Sequence, residues 1–397
     1  MRLSRREFLV VSGGVLAALS LPRSAGAAAL PVAAASGRSL VIIYLGGGND
    51  GLNTVAPYGF GRYYDLRPTL GIKEQDALPL TGKLGLHPNL KGLKSLYDGG
   101  KLTVLQGVGY PNPDRSHFRS FDIWATGREK GVSPVGWLGR HLDLTDGAAP
   151  LRAVAVGAGV PKPLVGARAK TVAVESLELM QIKGAPASAA AIRAMYGAGA
   201  GDGGGLTVVR GKGQAAVDAA DAVKALAAGY APGAEYPKGR LAASLQLMVK
   251  LLAGGAGSEL LYTTFGGFDE HAGEKGNHDR LMLEFDQAVT AFYRDLEAHG
   301  LADRVLTLVH SEFGRRAKEN GSGGTDHGAA GPVFLLGGAV RGGLVGDHPD
   351  LADLLDGDLR MGIDFRSIYA TLLEEWLGGS AGAVLGSGYE RLPLIRA

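Results

Sequence analysis

The chain has 397 residues, 46% of them hydrophobic, with 41 basic against 39 acidic side chains and no cysteine. A near-neutral balance without a basic stripe argues against a nucleic-acid binder, and the lack of thiols excludes disulfides and thiolate metal ligands. The length is enough for one large α/β domain with a substantial core.

Ser4-Arg5-Arg6-Glu7-Phe8-Leu9, followed by apolar Val10 to Leu21, has the layout of a twin-arginine export signal. The small residues from Ser24 to Ala29 offer an Ala-x-Ala cleavage point at Ala27, so 1–27 reads as a signal peptide and 38–397 as the mature domain. The apolar run is twelve residues long with two glycines, short of the roughly 20 that cross a bilayer, so no stable membrane span is expected after cleavage. Removing 1–27 takes Arg2, Arg5, Arg6 and Arg23 together with Glu7, which lowers the net charge by three, from +2 to −1. A periplasmic or extracellular protein is expected. Folding and metal loading in a reducing cytoplasm before export fit the absence of cysteine.

Leu40 to Leu45 is a continuous apolar, β-branched run closed by three glycines, the pattern of a strand buried on both faces of a parallel sheet. Leu102–Val108, Leu151–Val156, Leu260–Thr264, Val305–Val309 and Pro332–Gly337 repeat it, each with turn-forming flanks. Between them lie helical stretches at Arg119–Thr126, Leu241–Leu252, His278–His299 and Phe365–Leu377. In the third, Leu281, Phe285, Ala288, Phe292 and Leu296 form the stripe of a helix packed on a sheet. Strands alternating with helices predict a doubly wound, mostly parallel α/β sheet with helices on both faces. From Ile182 to Lys238 the composition shifts to Ala and Gly, which reads as a helical insertion (Ala215–Ala228 being one helix) with a mobile loop.

In an open sheet of this kind the carboxyl ends of the strands form one rim, where side chains distant in sequence converge. Asp50 follows Gly46-Gly47-Gly48-Asn49 after the first strand. Asp269 and His271 sit two apart after Leu260–Thr264, with His278 seven further on. Glu312 and Arg315 follow Val305–Val309, and Asp326-His327 precedes Pro332–Gly337. Carboxylates and imidazoles together supply electron pairs and charge for a divalent metal, and Arg315 has the planar fork to clamp an anionic substrate. The competing reading of Asp269 and the histidines is a turn cap with solvated loop residues. Gly46-x-Gly48-x-x-Gly51 also matches a dinucleotide fingerprint, but Pro57, Gly59 and Gly61 break the helix that motif needs, and Asp50 would repel phosphates. Ser116, at the start of the helix after the second strand, is either a nucleophile activated by a metal or an ordinary N-cap.

Gly47-Gly-Asn-Asp-Gly-Leu-Asn53, Gly109-Tyr-Pro-Asn-Pro-Asp-Arg-Ser-His-Phe118, Gly267-Phe-Asp-Glu-His271, Ser311-Glu-Phe-Gly-Arg-Arg316 and Thr325-Asp-His-Gly328 together resemble the exported bacterial family known as domain of unknown function 1501. That family is similar in turn, more distantly, to the alkaline phosphatase and sulfatase superfamily. The resemblance implies an alkaline-phosphatase-like fold, hydrolysis of phosphate or sulfate esters, one or two divalent ions, often zinc, and a hydroxyl nucleophile at a helix start. It also implies that Asp50 is the metal-binding aspartate of the first strand, Asp269 and His271 ligands of one metal, and His327 its remaining histidine. Trp124-Ala-Thr-Gly127 resembles a Trp-x-Thr-Gly found after the nucleophile helix of some phosphatases, and counting back seven residues from Trp124 reaches His117, one past Ser116. Where the superfamily has an Asp-His pair this chain has Glu312-Phe313, and Phe313 has no ligating atom.

The expectation is therefore a metal-dependent ester hydrolase acting on a small anionic substrate. Its ligands would come from Asp50, Asp269, His271, Glu312, Asp326 and His327, with Ser116 or His117 and Arg315 at the reaction centre. The alternative is a binding or assembly protein outside the cytoplasm that keeps a partial metal site. A nicotinamide-dependent oxidoreductase is a third reading.

Overall fold

The computed structural model describes residues 37–145, 149, 151–176, 191, 194–196, 220–226 and 228–396. The twin-arginine segment and most of the 182–238 insertion lie outside the described residues; of the helix expected over Ala215–Ala228, residues 220–226 are helical.

Among the described residues nine strands form the central sheet: β1 Ser39–Gly46, β2 Leu102–Gly109, β3 Ala153–Val156, β4 Val172–Val174, β5 Leu260–Gly266, β6 Val305–Ser311, β7 Gly331–Leu336, β8 Gly343–Val345 and β9 Ile363–Asp364. Their order is β8-β2-β7-β6-β1-β5-β3-β4, with β9 also paired to β2. Pairing is parallel except on both sides of β7. Parallel neighbours need a crossover, usually helical, and no helix lies between the end of β6 and the start of β7, so the chain turns back antiparallel. The expected fold class, a doubly wound and mostly parallel sheet, is what the chain adopts.

The principal helices are α1 Lys91–Asp98, α2 His117–Thr126, α3 Trp137–Leu144, α4 Arg240–Ala253, α5 Glu274–Ala298, α6 Phe365–Thr371 and α7 Ala381–Leu385. Alternate residues of β1 face opposite cores, as a strand's period of two requires. Val41, Ile43 and Leu45 pack in the core that holds Leu245 and Met248 of α4 and Phe285, Val289 and Phe292 of α5. Leu40 and Ile42 belong to the other, with Trp124, Trp137, Tyr369 and Trp376. The stripe Leu281, Phe285, Ala288, Phe292 and Leu296 is buried throughout. Helix α5 begins at Glu274, four residues before His278, because a polar first turn carries no apolar period.

Register sets the site. Gly46 of β1 pairs with Gly266 of β5, and Leu45 with Ser311 of β6, so three strands end side by side at one rim. Val108, near the end of β2, lies opposite Gly331, the first residue of β7. The segments leaving β1, β2, β5 and β6 and the segment entering β7 therefore share that rim.

Candidate metal centre

The turn leaving β1 reaches the rim through left-handed backbone. Gly47 has φ +118°, and a Cβ there would stand 2.6 Å from the amide nitrogen of Asp269. A Cβ on Gly48 would strike the Phe313 ring at 2.4 Å. These two glycines thus let the β1, β5 and β6 loops close on one another.

Four side chains meet where these loops touch. His271 Nε2 is 3.0 Å from Asp269 Oδ1 and 3.0 Å from His327 Nε2, and His327 Nε2 is 3.1 Å from the same carboxylate oxygen. His117 Nε2 stands 3.5 Å from Asp269 Oδ1 and has no hydrogen-bond partner. Helix α2 contributes His117 as its first residue, and the loop after β5 contributes Asp269 and His271. His327 comes from the segment before β7, which is bridged to Arg315.

Each imidazole is turned by a bond on its other nitrogen. His117 Nδ1 lies 2.7 Å from Glu312 Oε1, His271 Nδ1 3.3 Å from Asp326 Oδ1, and His327 Nδ1 2.8 Å from the Arg115 carbonyl oxygen. A carbonyl or carboxylate oxygen accepts, so each Nδ1 donates, and a neutral ring then presents Nε2 as a lone pair. Three lone pairs and a carboxylate oxygen thus face one another with no proton assigned between them. Ligands about 2.0 to 2.1 Å from a tetrahedral zinc stand about 3.3 Å apart, close to the separations of the three imidazoles from Asp269 Oδ1 and of His271 from His327, and His117, Asp269 and His327 form the mutually close set. Residues and geometry fit zinc.

The outer groups are themselves held. Glu312 is buried and accepts from the Gly47 amide at 3.0 Å and the Ser311 hydroxyl at 2.9 Å. Asp326 is exposed; a hydrogen bond from Asn320 and then the His271 ring lower its pKa. Burial alone would raise the Asp269 carboxyl, but Arg315 and His327 hold it well below the usual carboxylate range, so it is ionised. Phe313 packs its ring 4.9 Å from both His117 and His327 and closes one side.

Two expected participants are placed differently. Arg315 is buried, and its guanidinium donates to the carbonyl oxygens of Gly48, Thr325, Gly47 and Phe268 and to Asp269 Oδ1. That placement anchors Asp269 and leaves the fork turned away from an incoming anion. Asp50 is also buried, its Oδ2 paired with the fully buried Arg67, which in turn donates to the carbonyls of Ala317 and Arg316. It joins none of the contacts among His117, Asp269, His271 and His327. Ser116 occupies the N-cap of α2 without a capping bond from its side chain, and it is exposed. The fingerprint spacing at Gly46–Gly51 opens on a single helical turn, Gly51–Thr54.

Sequence reasoning had His117 only as a possible nucleophile, and the seven-residue count from Trp124 was the signal for its position. It overlooked Arg67, and it singled out His278 without its partners Glu270, in the loop before α5, and Glu274, four residues before His278 on the same face of that helix.

Fold and site together define a mostly parallel α/β protein with an imidazole and carboxylate centre at its strand-end rim. The chain belongs to the family described as "Protein of unknown function (DUF1501)", which matches residues 103–380. None of the curated proteins matches it. Among solved structures, the PsFucS1 sulfatase from Pseudoalteromonas sp. is similar at 12% identity, over 90% of this chain and 73% of that one, with a TM-score of 0.39. The phosphonate monoester hydrolase of Agrobacterium radiobacter is similar at 10% identity, over 88% of this chain and 78% of that one, with a TM-score of 0.38. The zinc complex of the C-terminal periplasmic domain of EcEptC from Escherichia coli is similar at 12% identity, over 78% and 77%, with a TM-score of 0.35. Among the described residues no helix is long and apolar enough to cross a membrane.

Proposed function

We propose that this chain is an exported, metal-dependent hydrolase of phosphate or sulfate esters that holds zinc through His117, Asp269, His271 and His327. The observation that carries the reading is the shared orientation of three imidazoles, each with Nδ1 on an outer acceptor and Nε2 within 3.5 Å of Asp269 Oδ1. Zinc bound there supplies a Lewis acid for an ester oxygen and lowers the pKa of an attacking hydroxyl or water. Asp269 offsets part of the ion's charge, and Arg315 fixes its carboxylate. Phe313 keeps water from one flank of the ligand set. Ser116, beside His117 at the amino end of α2, has a free hydroxyl where the helix amides favour developing negative charge. The ester class is what the motif resemblance implies.

The test is elemental analysis of the purified full chain together with turnover of chromogenic aryl phosphates and sulfates. Near one zinc per chain and measurable turnover are expected, with both lost in Asp269→Asn and His327→Ala, and turnover alone lost in Ser116→Ala. Undiminished turnover in Asp269→Asn would sink the proposal. The second reading, a metal-holding binding or assembly protein, draws on Phe313 in place of a ligand and on the outward Ser116. Stoichiometric zinc with no ester turnover selects it.

A further inference from the structure

Beside the first turns of α5 lies a second group of side chains with unmet bonding capacity. One ligand atom each from Glu270, Glu274 and His278 lies within 4.8 Å of the others, and all three residues are buried. His278 Nδ1 meets Glu270 Oε2 at 3.1 Å, whose other oxygen accepts from Asn277 at 2.7 Å. Glu274 Oε2 accepts from the Thr325 hydroxyl at 2.7 Å. Glu274 Oε1, His278 Nε2 and Asp50 Oδ1 have no hydrogen-bond partner, and these residues are 0%, 2% and 1% exposed.

Buried polar atoms are almost always satisfied, and buried charges are balanced. Asp50, Glu270 and Glu274, when ionised, carry three negative charges, and Arg67 on Asp50 supplies one positive. The remainder is what one divalent cation neutralises.

We propose that Glu270, Glu274 and His278 form a second cation site, separate from the rim centre and suited to a hard divalent ion of the manganese class. Carboxylate oxygens dominate the donor set here, whereas imidazoles dominate at the rim, and that difference sorts manganese from zinc. The enclosure implies loading as the chain folds. The site uses none of the residues assigned to ester hydrolysis.

The test uses the full chain, stripped with chelator, refolded with one equivalent of zinc and titrated with manganese chloride while the resonance of free manganese is followed. Wild type and His327→Ala are each expected to take up one manganese per chain. Glu274→Gln and His278→Gln should bind it roughly tenfold or more weakly with zinc content unchanged. No uptake by wild type, equal uptake by Glu274→Gln, or loss confined to His327→Ala overturns the site. Should the buried variants not fold, the wild-type count still decides, together with the anomalous difference at the manganese edge between Glu274 and His278 in a crystal. Failure of the hydrolase reading shows separately, as absent zinc or absent turnover with manganese retained.

Discussion

His117 Nδ1 and Glu312 Oε1 stand 2.7 Å apart, and this bond determines which ring nitrogen faces Asp269. Glu312 is pinned in turn by the Gly47 amide and the Ser311 hydroxyl, so the strand ends of β1 and β6 jointly set the angle of a ring carried by α2. Removing the acceptor frees the ring to rotate or change tautomer. Glu312→Ala is expected to weaken zinc binding on the order of 10- to 100-fold, and Glu312→Gln, which keeps an oxygen acceptor, by less. Competition with a chromophoric chelator measures both, and equal affinity in Glu312→Ala and wild type would remove Glu312 from the centre.

Gly47 acts through shape. Its φ of +118° strains any other residue, and an added Cβ would sit 2.6 Å from the Asp269 amide. Gly47→Ala should push the β5 loop outward, lowering zinc affinity together with thermal stability. Gly61→Ala, where nothing lies within 4 Å of the added carbon, is the control expected to leave zinc affinity unchanged. If the two variants bind zinc alike, the close approach of the loops is irrelevant to the centre.

Much of this was legible in the sequence because burial leaves a pattern. Leu40 to Leu45 could be read as a doubly buried strand, and the rim position of Asp269, His271 and His327 followed from strand ends alone. Direction leaves no such trace. The apolar run of β7 reads the same parallel or antiparallel, and only the missing helix after β6 decides it. Nor does a charged residue announce its partner. Arg315 looked like an anion clamp until carbonyls of Gly47, Gly48, Phe268 and Thr325 enclosed it, and Asp50 looked like a ligand until Arg67, seventeen residues on, captured it. Such pairings obey no period, so no spacing rule finds them.

The Arg67 and Asp50 pair is buried on both sides, at 0% and 1% side-chain exposure. Burial would raise the Asp50 carboxyl, and the Arg67 charge reverses that and lowers it. Breaking one partner leaves a desolvated charge uncompensated, so Arg67→Met is expected to cost about 3–5 kcal/mol in urea denaturation. Asp50→Asn combined with Arg67→Met should recover part of that loss, because neither charge then remains. A cost below about 1 kcal/mol for Arg67→Met, the range of an exposed pair, would contradict the burial argument.

His310 makes the pH dependence of stability testable apart from the metal centre. Its ring stacks on Trp124 at 4.7 Å with planes 6° apart, and burial depresses its pKa from 6.5 to about 4 against the raising effects of the Ser311 carbonyl and Glu312. A folded-state pKa below the unfolded value means the unfolded chain binds the proton more readily. The contribution of neutral His310 is therefore whole above pH 6.5, falls with pH, and is gone below about 4. The shift corresponds to about 3 kcal/mol. His310→Phe preserves the aromatic stack and removes the titration, so the gap in stability between variant and wild type should widen in favour of the variant as pH drops from 6.5 to 4. His87 is depressed to about 4 as well and titrates in both proteins, so the difference between the two denaturation series isolates His310. A difference that stays flat across that interval would mean that His310 is protonated in the folded chain or reached by water.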